Sequence, residues 1–192
     1  MTKFKIIFPL LLFIGLLSAC GEQYDGDFSY KVRDFTFTNQ DGKEVDKSDL
    51  EGKFWIADFI FTNCTSVCPP MTANMASLQD QLKDAGLQDD VQLVSFSVDP
   101  EHDTPEALKE YAQQRGGTTD NWDLLTGYDF DTIKKFSVKS FKSILEKLPD
   151  SNQFMHGTSF YIVTPEGEAI KSYNGKKASN MEKIVADIKD MM

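Results

Sequence analysis

Residues 59–75, FIFTNCTSVCPPMTANM, decide the fold and raise the functional question. The stretch starts in an apolar, aromatic run that is typical of a buried strand, and it then places Cys64 and Cys68 four residues apart. Pro69 disfavours helical geometry at Cys68, and Pro70 has no N–H to donate. We therefore predict that both cysteines lie in a loop, with Cys68 at the mouth of the following helix, whose positive end favours a thiolate.

Outward from this loop, strand-like and helix-like segments alternate along the chain. Apolar runs at 54–61 and 91–98 predict buried strands, and an apolar stripe at helical spacing predicts a helix over 70–85. Patterns of capping residues, turn residues and alternation predict further elements. These are a hairpin at 32–45, a helix from Thr104 to about 114, a short helix at 131–136, an irregular loop at 146–155, a strand–turn–strand at 160–173 and a terminal helix at 180–191.

This order predicts an α/β fold in which helices cover both faces of an open sheet, with right-handed parallel crossovers. A cysteine pair that directly follows the first central strand and opens a helix resembles the arrangement in thioredoxin-like domains. The resemblance implies a central mixed sheet flanked by helices, to which this chain adds an N-terminal β-hairpin. In such a sheet the loop that enters the strand at 160–164 faces the cysteine loop; thioredoxins usually have a cis-proline there, whereas this chain has His156.

The N-terminus predicts an exported, lipid-anchored protein. Lys3 and Lys5 precede an apolar run at 6–17 that is too short to span a bilayer, and Leu-Ser-Ala-Cys at 17–20 resembles a bacterial lipobox. The resemblance implies that Cys20 is diacylated and becomes the mature N-terminus, at the outer face of the cytoplasmic membrane; an uncleaved anchor is the alternative. The predicted organisation is a signal peptide over 1–19, a lipidated tether over 20–30 and one thioredoxin-like domain over 31–192.

The cysteine count and the charge limit the classes of function. With Cys20 acylated, only Cys64 and Cys68 remain, and outside the cytoplasm such a pair can form a disulfide or bind a metal. The formal charge of −10 would become −12 after removal of residues 1–19. A strongly acidic chain argues against nucleic acid and against charge-driven binding to an anionic membrane, and it is compatible with a soluble monomer on a tether.

Two thiolates with an imidazole favour Cu(I) or zinc over hard cations. The chain has two histidines: His102 lies in an acidic loop and is expected to be exposed among carboxylates, whereas His156 is expected to face the cysteines. The five-residue cysteine loop leaves room for an ion between the sulfurs, and a Cys64–Cys68 disulfide stays open because nothing excludes the sulfur approach.

Three motifs together resemble the Sco (SenC) family, the copper-binding assembly factors of cytochrome c oxidase. They are CTSVCP at 64–69, SVDPEHDT at 97–104 and HGTSFYIVTPEG at 156–167. The resemblance implies that Cys64, Cys68 and His156 bind a copper ion, as Cu(I), Cu(II) or both. It also implies a membrane-anchored, extracytoplasmic metallochaperone, rather than an enzyme, that assists assembly of the CuA centre and has the CuA-bearing oxidase subunit as its partner.

The roles of several neighbouring residues stay open at this point. Asp99 matches the acidic position of the family and would orient His156, cap the next helix or serve as a turn residue. Met71 and Met75 are expected in the core, while Met155 lies beside a ligand. Asp58 is an acid inside an apolar strand, where it would tune a thiol or lie at a sheet edge.

A different class of function uses the same cysteines. A thiol–disulfide oxidoreductase would reduce the cysteines of the oxidase subunit through a mixed disulfide, with Cys64 as the attacking thiol. It would not need metal and would depend little on His156. A copper or redox sensor that transfers no cargo is a third alternative.

Overall fold

A six-stranded mixed sheet is the centre of this computed structural model, which describes residues 24–192. The predicted signal peptide and the lipidation at Cys20 therefore lie outside the described residues. The strands are β1 (Tyr30–Lys31), β2 (Thr36–Thr38), β3 (Glu44–Asp46), β4 (Phe54–Ile60), β5 (Val91–Ser97), β6 (Trp122–Leu125), β7 (Leu145–Lys147), β8 (Phe154–His156), β9 (Ser159–Val163) and β10 (Glu168–Asn174). The helices are α1 (Cys68–Asp84), α2 (Pro105–Gln113), α3 (Phe130–Phe141) and α4 (Ser179–Met191), with a 3₁₀ turn at Lys47–Leu50.

The sheet has the strand order β1-β10-β9-β4-β5-β6. β4, β5 and β6 are parallel, whereas β9 runs antiparallel to β4, and β10 antiparallel to β9. All seven residues of β4 are buried, as expected for a central strand that is covered on both faces. The mixed sheet with flanking helices confirms the predicted fold class, and β2 and β3 form the extra N-terminal hairpin, in which Phe37 pairs with Val45.

An aromatic cluster holds α3 and the N-terminal hairpin on the sheet. Phe136 of α3 packs at 4.9 Å from Phe96 of β5, and Phe141 packs edge-on against Trp55 of β4 at 6.3 Å, between ring centroids. Phe37 of β2 contacts the same Phe96 ring at 6.3 Å. Offset and edge-to-face geometry of this kind adds about 0.5–1.5 kcal/mol per pair to the burial of apolar area.

Four details of the predicted elements differ from the structure. The short helix predicted at 131–136 is the twelve-residue α3, because the Asp129 side chain caps it by accepting the N–H of Thr132 and its apolar face continues to Phe141. Strand β6 escaped prediction, since four residues are too few to establish a period. Of the irregular loop predicted at 146–155, only residues 148–153 are a loop, because the residues on either side pair as β7 and β8, with Leu145 opposite His156. Helix α1 begins at Cys68 itself.

Residues 24–30, which belong to the predicted tether, lie against the domain. The N–H groups of Asp27 and Phe28 donate to the carbonyl of Ile170 at 2.9 and 3.2 Å, and Tyr30 pairs with Ala169. Within 24–192, no helix combines the length and the apolar composition needed to cross a membrane.

Candidate metal and thiol site

The cysteine loop connects the end of β4 to α1. Its turn is closed by the N–H of Cys64, which donates to the Phe61 carbonyl at 3.3 Å. The N–H of Cys68 donates to Cys64 Sγ at 3.3 Å, so a sulfur satisfies one of the free N–H groups at the start of α1, where Val67 provides no side-chain cap. Both cysteines are free thiols, and their side chains are buried.

The prediction placed both cysteines in a loop, yet Cys68 is the first residue of α1. Pro69 and Pro70 follow it in the first turn, where a missing N–H breaks no helical hydrogen bond. Cys64 remains in the loop as predicted. One thiol is therefore held by a helix and the other by the loop before it.

His156 ends β8, and the structure brings it to the cysteines. Its Nε2 lies 3.2 Å from Cys68 Sγ, and its Nδ1 lies 2.9 Å from the Gly157 carbonyl oxygen. A carbonyl can only accept a hydrogen bond, so Nδ1 carries a proton directed at Gly157, and Nε2 is the ring nitrogen that faces the thiol. The ring also stands edge-on to Phe61, at 5.7 Å between centroids.

The structure brings together the three residues that the sequence analysis named as a metal site: the candidate ligand atoms of Cys64, Cys68 and His156 all lie within 4.8 Å of one another. Pairing of β9 with β4 produces this proximity, because Tyr161 lies opposite Ala57 and the loop that enters β9 ends above the cysteines. The donor set of two sulfurs and one imidazole nitrogen fits a soft or borderline ion such as Cu(I) or zinc.

The pKa values of the two thiols are shifted in opposite directions. The pKa of Cys64 is lowered, chiefly because the Cys68 side chain donates a hydrogen bond to its sulfur, with further contributions from His156 and from backbone N–H groups. The pKa of Cys68 is raised by the same hydrogen bond, by burial and by the charge of Cys64. The pair therefore shares one proton, with the thiolate at Cys64 in the loop.

Asp58 lies in the central strand β4, so the interpretation as an edge residue is wrong. Its side chain is fully buried; Ser95 Oγ donates to Oδ1 at 2.5 Å, and Trp122 Nε1 donates to Ser95 Oγ at 3.0 Å. Within residues 24–192, Oδ2 has no hydrogen-bond partner. Burial raises the pKa of Asp58 to about 7, while Ser95 and the nearby His156 lower it.

Asp99 contacts the other histidine. Its Oδ1 lies 2.8 Å from His102 Nδ1, and α2 is capped by Thr104, whose side chain accepts the N–H of Ala107 at 3.2 Å. Of the roles considered for Asp99, the helix cap thus belongs to Thr104, and among the described residues no hydrogen bond joins Asp99 to His156. His102 has a side chain that is 54% exposed, in agreement with the expectation of an exposed histidine among carboxylates.

The buried acid beside the cysteine loop is Asp103, which sequence reasoning missed. Thr62 Oγ1 donates to its Oδ1 at 2.6 Å, and Ser97 Oγ donates to its Oδ2 at 2.6 Å. Asp103 thereby connects the end of β4, just before Cys64, to the end of β5. The available signal was its place in the same SVDPEHDT motif as Asp99.

The methionines near the site separate into two groups. Met71 and Met75 are fully buried on α1, which confirms the prediction of core packing. Met155 is 50% exposed, and because side chains alternate along a strand, it points to the face of β8 opposite His156.

Comparisons with known proteins give the family of the chain. The SCO1/SenC family model matches residues 25–192. The SCO1 protein homolog of Bacillus subtilis is 46% identical over 179 residues, which cover 93% of this chain and 92% of that protein.

Three solved structures extend the comparison. A SCO1/SenC family lipoprotein from Bacillus anthracis superposes with a TM-score of 0.80 at 50% identity, over 84% of this chain and 95% of its own. BsSco, described as a member of the Sco family of cytochrome c oxidase assembly proteins with a disulfide switch, gives 0.78 at 48% identity, over 88% and 96%. Arabidopsis thaliana ScoI with copper bound gives 0.70 at 28% identity, over 82% and 98%. On the family match and these similarities, the chain belongs to the SCO1/SenC family.

Proposed function

We propose that this protein is a lipid-anchored, extracytoplasmic copper chaperone that loads the CuA centre of cytochrome c oxidase. Copper is its cargo, held by Cys64, Cys68 and His156, and the CuA-bearing oxidase subunit is its acceptor. The observation that carries the proposal is the convergence of two buried sulfurs and one imidazole nitrogen within 4.8 Å. Its support from relatives is the copper-bound Arabidopsis protein and the description of BsSco as an oxidase assembly protein.

The three proposed ligands have different roles in holding and releasing the ion. Cys64 offers a thiolate because its pKa is lowered, and Cys68 must lose its proton when a metal binds. His156 offers Nε2, oriented by the contact of Nδ1 with Gly157 O. If a partner disulfide accepted two electrons and became two thiolates, Cys64 and Cys68 would form a disulfide and two ligands would be lost at once, so redox state would control copper release.

The location rests on the sequence and on one relative. Cys20 follows a lipobox-like Leu-Ser-Ala, and a similar family member from Bacillus anthracis is described as a lipoprotein. Lipidation at Cys20 would hold the monomeric protein at the outer face of the cytoplasmic membrane. Two acyl chains give the stable anchoring that one chain does not.

The decisive experiment is an anaerobic copper titration of the reduced protein, residues 21–192. We expect tight one-to-one binding that weakens in Cys64→Ser, Cys68→Ser and His156→Ala. Loss of a direct ligand should reduce the affinity by at least the roughly 10- to 100-fold that loss of an outer hydrogen-bond partner costs.

His102→Ala is the matched control, because it removes the other histidine of the chain, which lies in the acidic loop against Asp99. Its copper affinity should equal that of the unmodified protein. If His156→Ala also retained full affinity, the copper site would be a dithiol and the three-ligand proposal would be wrong.

The asymmetric thiols favour a second candidate function, thiol–disulfide exchange. The Cys64 thiolate would attack a disulfide of the oxidase subunit and displace one of its thiolates. Cys68, after losing its proton, would then attack the Cys64 sulfur and release the second thiolate, so two electrons pass from this protein to the subunit. With a reductant present to regenerate the dithiol, metal-free protein should then reduce many equivalents of a peptide disulfide, and His156→Ala should retain this activity. If the protein reduced no more than one equivalent under these conditions, this function would be excluded.

A further inference from the structure

A cavity of about 460 Å³ lies between β1 and the C-terminal end of α3, and its lining includes none of Cys64, Cys68 and His156. The strand and its continuation form one wall, and the last turn of the helix forms the other. The lining residues are Ser29, Tyr30, Lys31, Val32, Arg33, Asp34, Lys139 and Lys142.

The cavity is basic in a chain that is acidic. Four of its side chains are cationic, although the whole sequence has 20 basic and 30 acidic residues. Its one carboxylate, Asp34, is already paired with Lys47 Nζ at 2.5 Å. None of the cavity's own cations, Lys31, Arg33, Lys139 and Lys142, forms an ion pair with any residue in 24–192.

Two distant segments of the sequence build this charge. Lys31 and Arg33 flank the fully buried Val32 in extended backbone, so both point outward on the same face. The N–H of Arg33 donates to Ser140 Oγ at 3.1 Å, which places this face beside the end of α3, 107 residues away. Lys142 stands over the Tyr30 ring at 5.5 Å, in the same cavity as both outward cations.

The C-terminus of α3 accounts for only two of the four cations in the cavity. Lys139 and Lys142 lie at the C-terminus of α3, where the helix dipole and the free carbonyls favour cations, and Lys142 Nζ donates to the Lys139 carbonyl at 3.3 Å. Lys31 ends β1 and Arg33 lies two residues beyond it, so neither cation is at the C-terminus of a helix. Their presence adds repulsion that a bound anion would relieve.

We propose that this cavity binds a phosphate group, either as free phosphate or as the headgroup of an anionic phospholipid. Arginine presents a planar fork that matches two phosphate oxygens, and lysines add point charges. β1 begins ten residues after Cys20, so a chain anchored there would keep the cavity within about 35 Å of the bilayer. The whole-chain charge argues against an anionic membrane partner, yet this local charge has the opposite sign.

The test is an NMR titration of the full chain in nonionic detergent with three probes: inorganic phosphate, dihexanoyl phosphatidylglycerol and dihexanoyl phosphatidylcholine. We expect saturable shifts confined to the amides at 30–33 and 139–142. Preference for phosphatidylglycerol over both other probes identifies a lipid headgroup, and equal or tighter binding of inorganic phosphate identifies the free anion.

Two double variants with the same loss of charge make the test specific. Arg33→Gln with Lys142→Gln should weaken binding about tenfold or more, since hydrogen bonds to charged groups are removed. Lys176→Gln with Lys177→Gln, exposed lysines that form no ion pair with residues in 24–192, should leave the affinity unchanged. Shifts spread over the surface lysines, equal weakening in both variants, or no saturable shift in the unmodified chain would overturn the proposal.

Discussion

The two halves of the metal and thiol site are built differently. The cysteine half joins a fully buried central strand to a seventeen-residue helix, and Cys68 is completely buried. The histidine half is the β7–β8 hairpin, a separate two-stranded sheet of three residues per strand that carries exposed apolar side chains such as Met155. One half is part of the core of the domain, and the other is attached to it.

The hairpin is attached both to α3, against which Phe154 also packs, and to the residues around the cysteine loop. Phe61 packs against Phe154 at 5.3 Å and against His156 at 5.7 Å, between ring centroids. Gln153 Nε2 donates to the Asn63 carbonyl at 3.1 Å. Small sheets without a large apolar face are marginally stable on their own. The geometry of the site therefore depends on how firmly these contacts hold the histidine to a rigid dithiol.

The largest loss of stability is expected on removal of the Phe61 ring, which contacts both halves of the site. Phe61→Ala should lower the free energy of unfolding by about 3–5 kcal/mol, because a buried ring is removed from the end of β4. Phe154→Ala, at the hairpin, should cost about half as much, because the hairpin can collapse onto the gap. Urea denaturation with circular dichroism measures both; equal losses would show that the hairpin is as integral to the core as β4.

The second prediction concerns the carboxyl beneath the cysteine half. Burial raises the pKa of Asp58 from 3.8 to about 7, so between these pH values the folded protein holds a proton that the unfolded chain has released. Its contribution to stability is complete below about pH 4 and is lost as pH rises towards 7. Relative to Asp58→Asn, the unmodified protein should thus lose up to about 1.4 kcal/mol per pH unit across this window.

Denaturation of the reduced, metal-free proteins at several pH values measures this difference. The lowered pKa of Cys64 gives a contribution of the opposite sign, which is lost as pH falls, and it cancels when the two proteins are subtracted. A constant difference between pH 4 and 7 would mean that the Asp58 carboxyl is not held protonated by the fold.

The smallest effect is expected at the attachment of the hairpin. Gln153→Ala removes one hydrogen bond, worth about 0.5–1.5 kcal/mol, between β8 and the cysteine loop. Hydrogen exchange at the β7–β8 amides should accelerate roughly two- to tenfold, while exchange in β4 stays unchanged. Gln81→Ala, which removes a comparable exposed contact with Ser77 on α1, should leave the hairpin unaffected. Acceleration in β4 as well would mean that the two halves open together.

The difference between the cysteine half and the histidine half also explains which parts of the site could be predicted from the sequence. β4, α1 and the cysteines lie within one continuous stretch whose apolar run, stripe and prolines are local signals, and His156 was recognisable from its place before an apolar strand. The hairpin was missed because each of its strands has three residues, of which only Leu145 and Phe154 are buried. The contact of Asp99 with His102 could not be predicted, because it is formed by the turn at 99–103, and residue types alone do not specify that turn.

The basic cavity shows a further limit of sequence reasoning. Lys31 and Arg33 are far from Lys139 and Lys142 in the chain, and net charge averages over all of them. Only the packing of β1 beside α3 reveals that the four cations share one surface.

The three residues proposed as ligands are also unequally spaced along the chain. The cysteines are four residues apart, but 88 residues separate Cys68 from His156. An emerging, unfolded chain therefore already holds both thiols within reach of each other, and it acquires the imidazole only when β9 pairs with β4. Occupancy of the complete site consequently reports that the sheet is finished, and an ion at 100 times its dissociation constant would stabilise that state by about 2.7 kcal/mol. Binding of an ion to the complete site and completion of the fold are thus coupled in this protein.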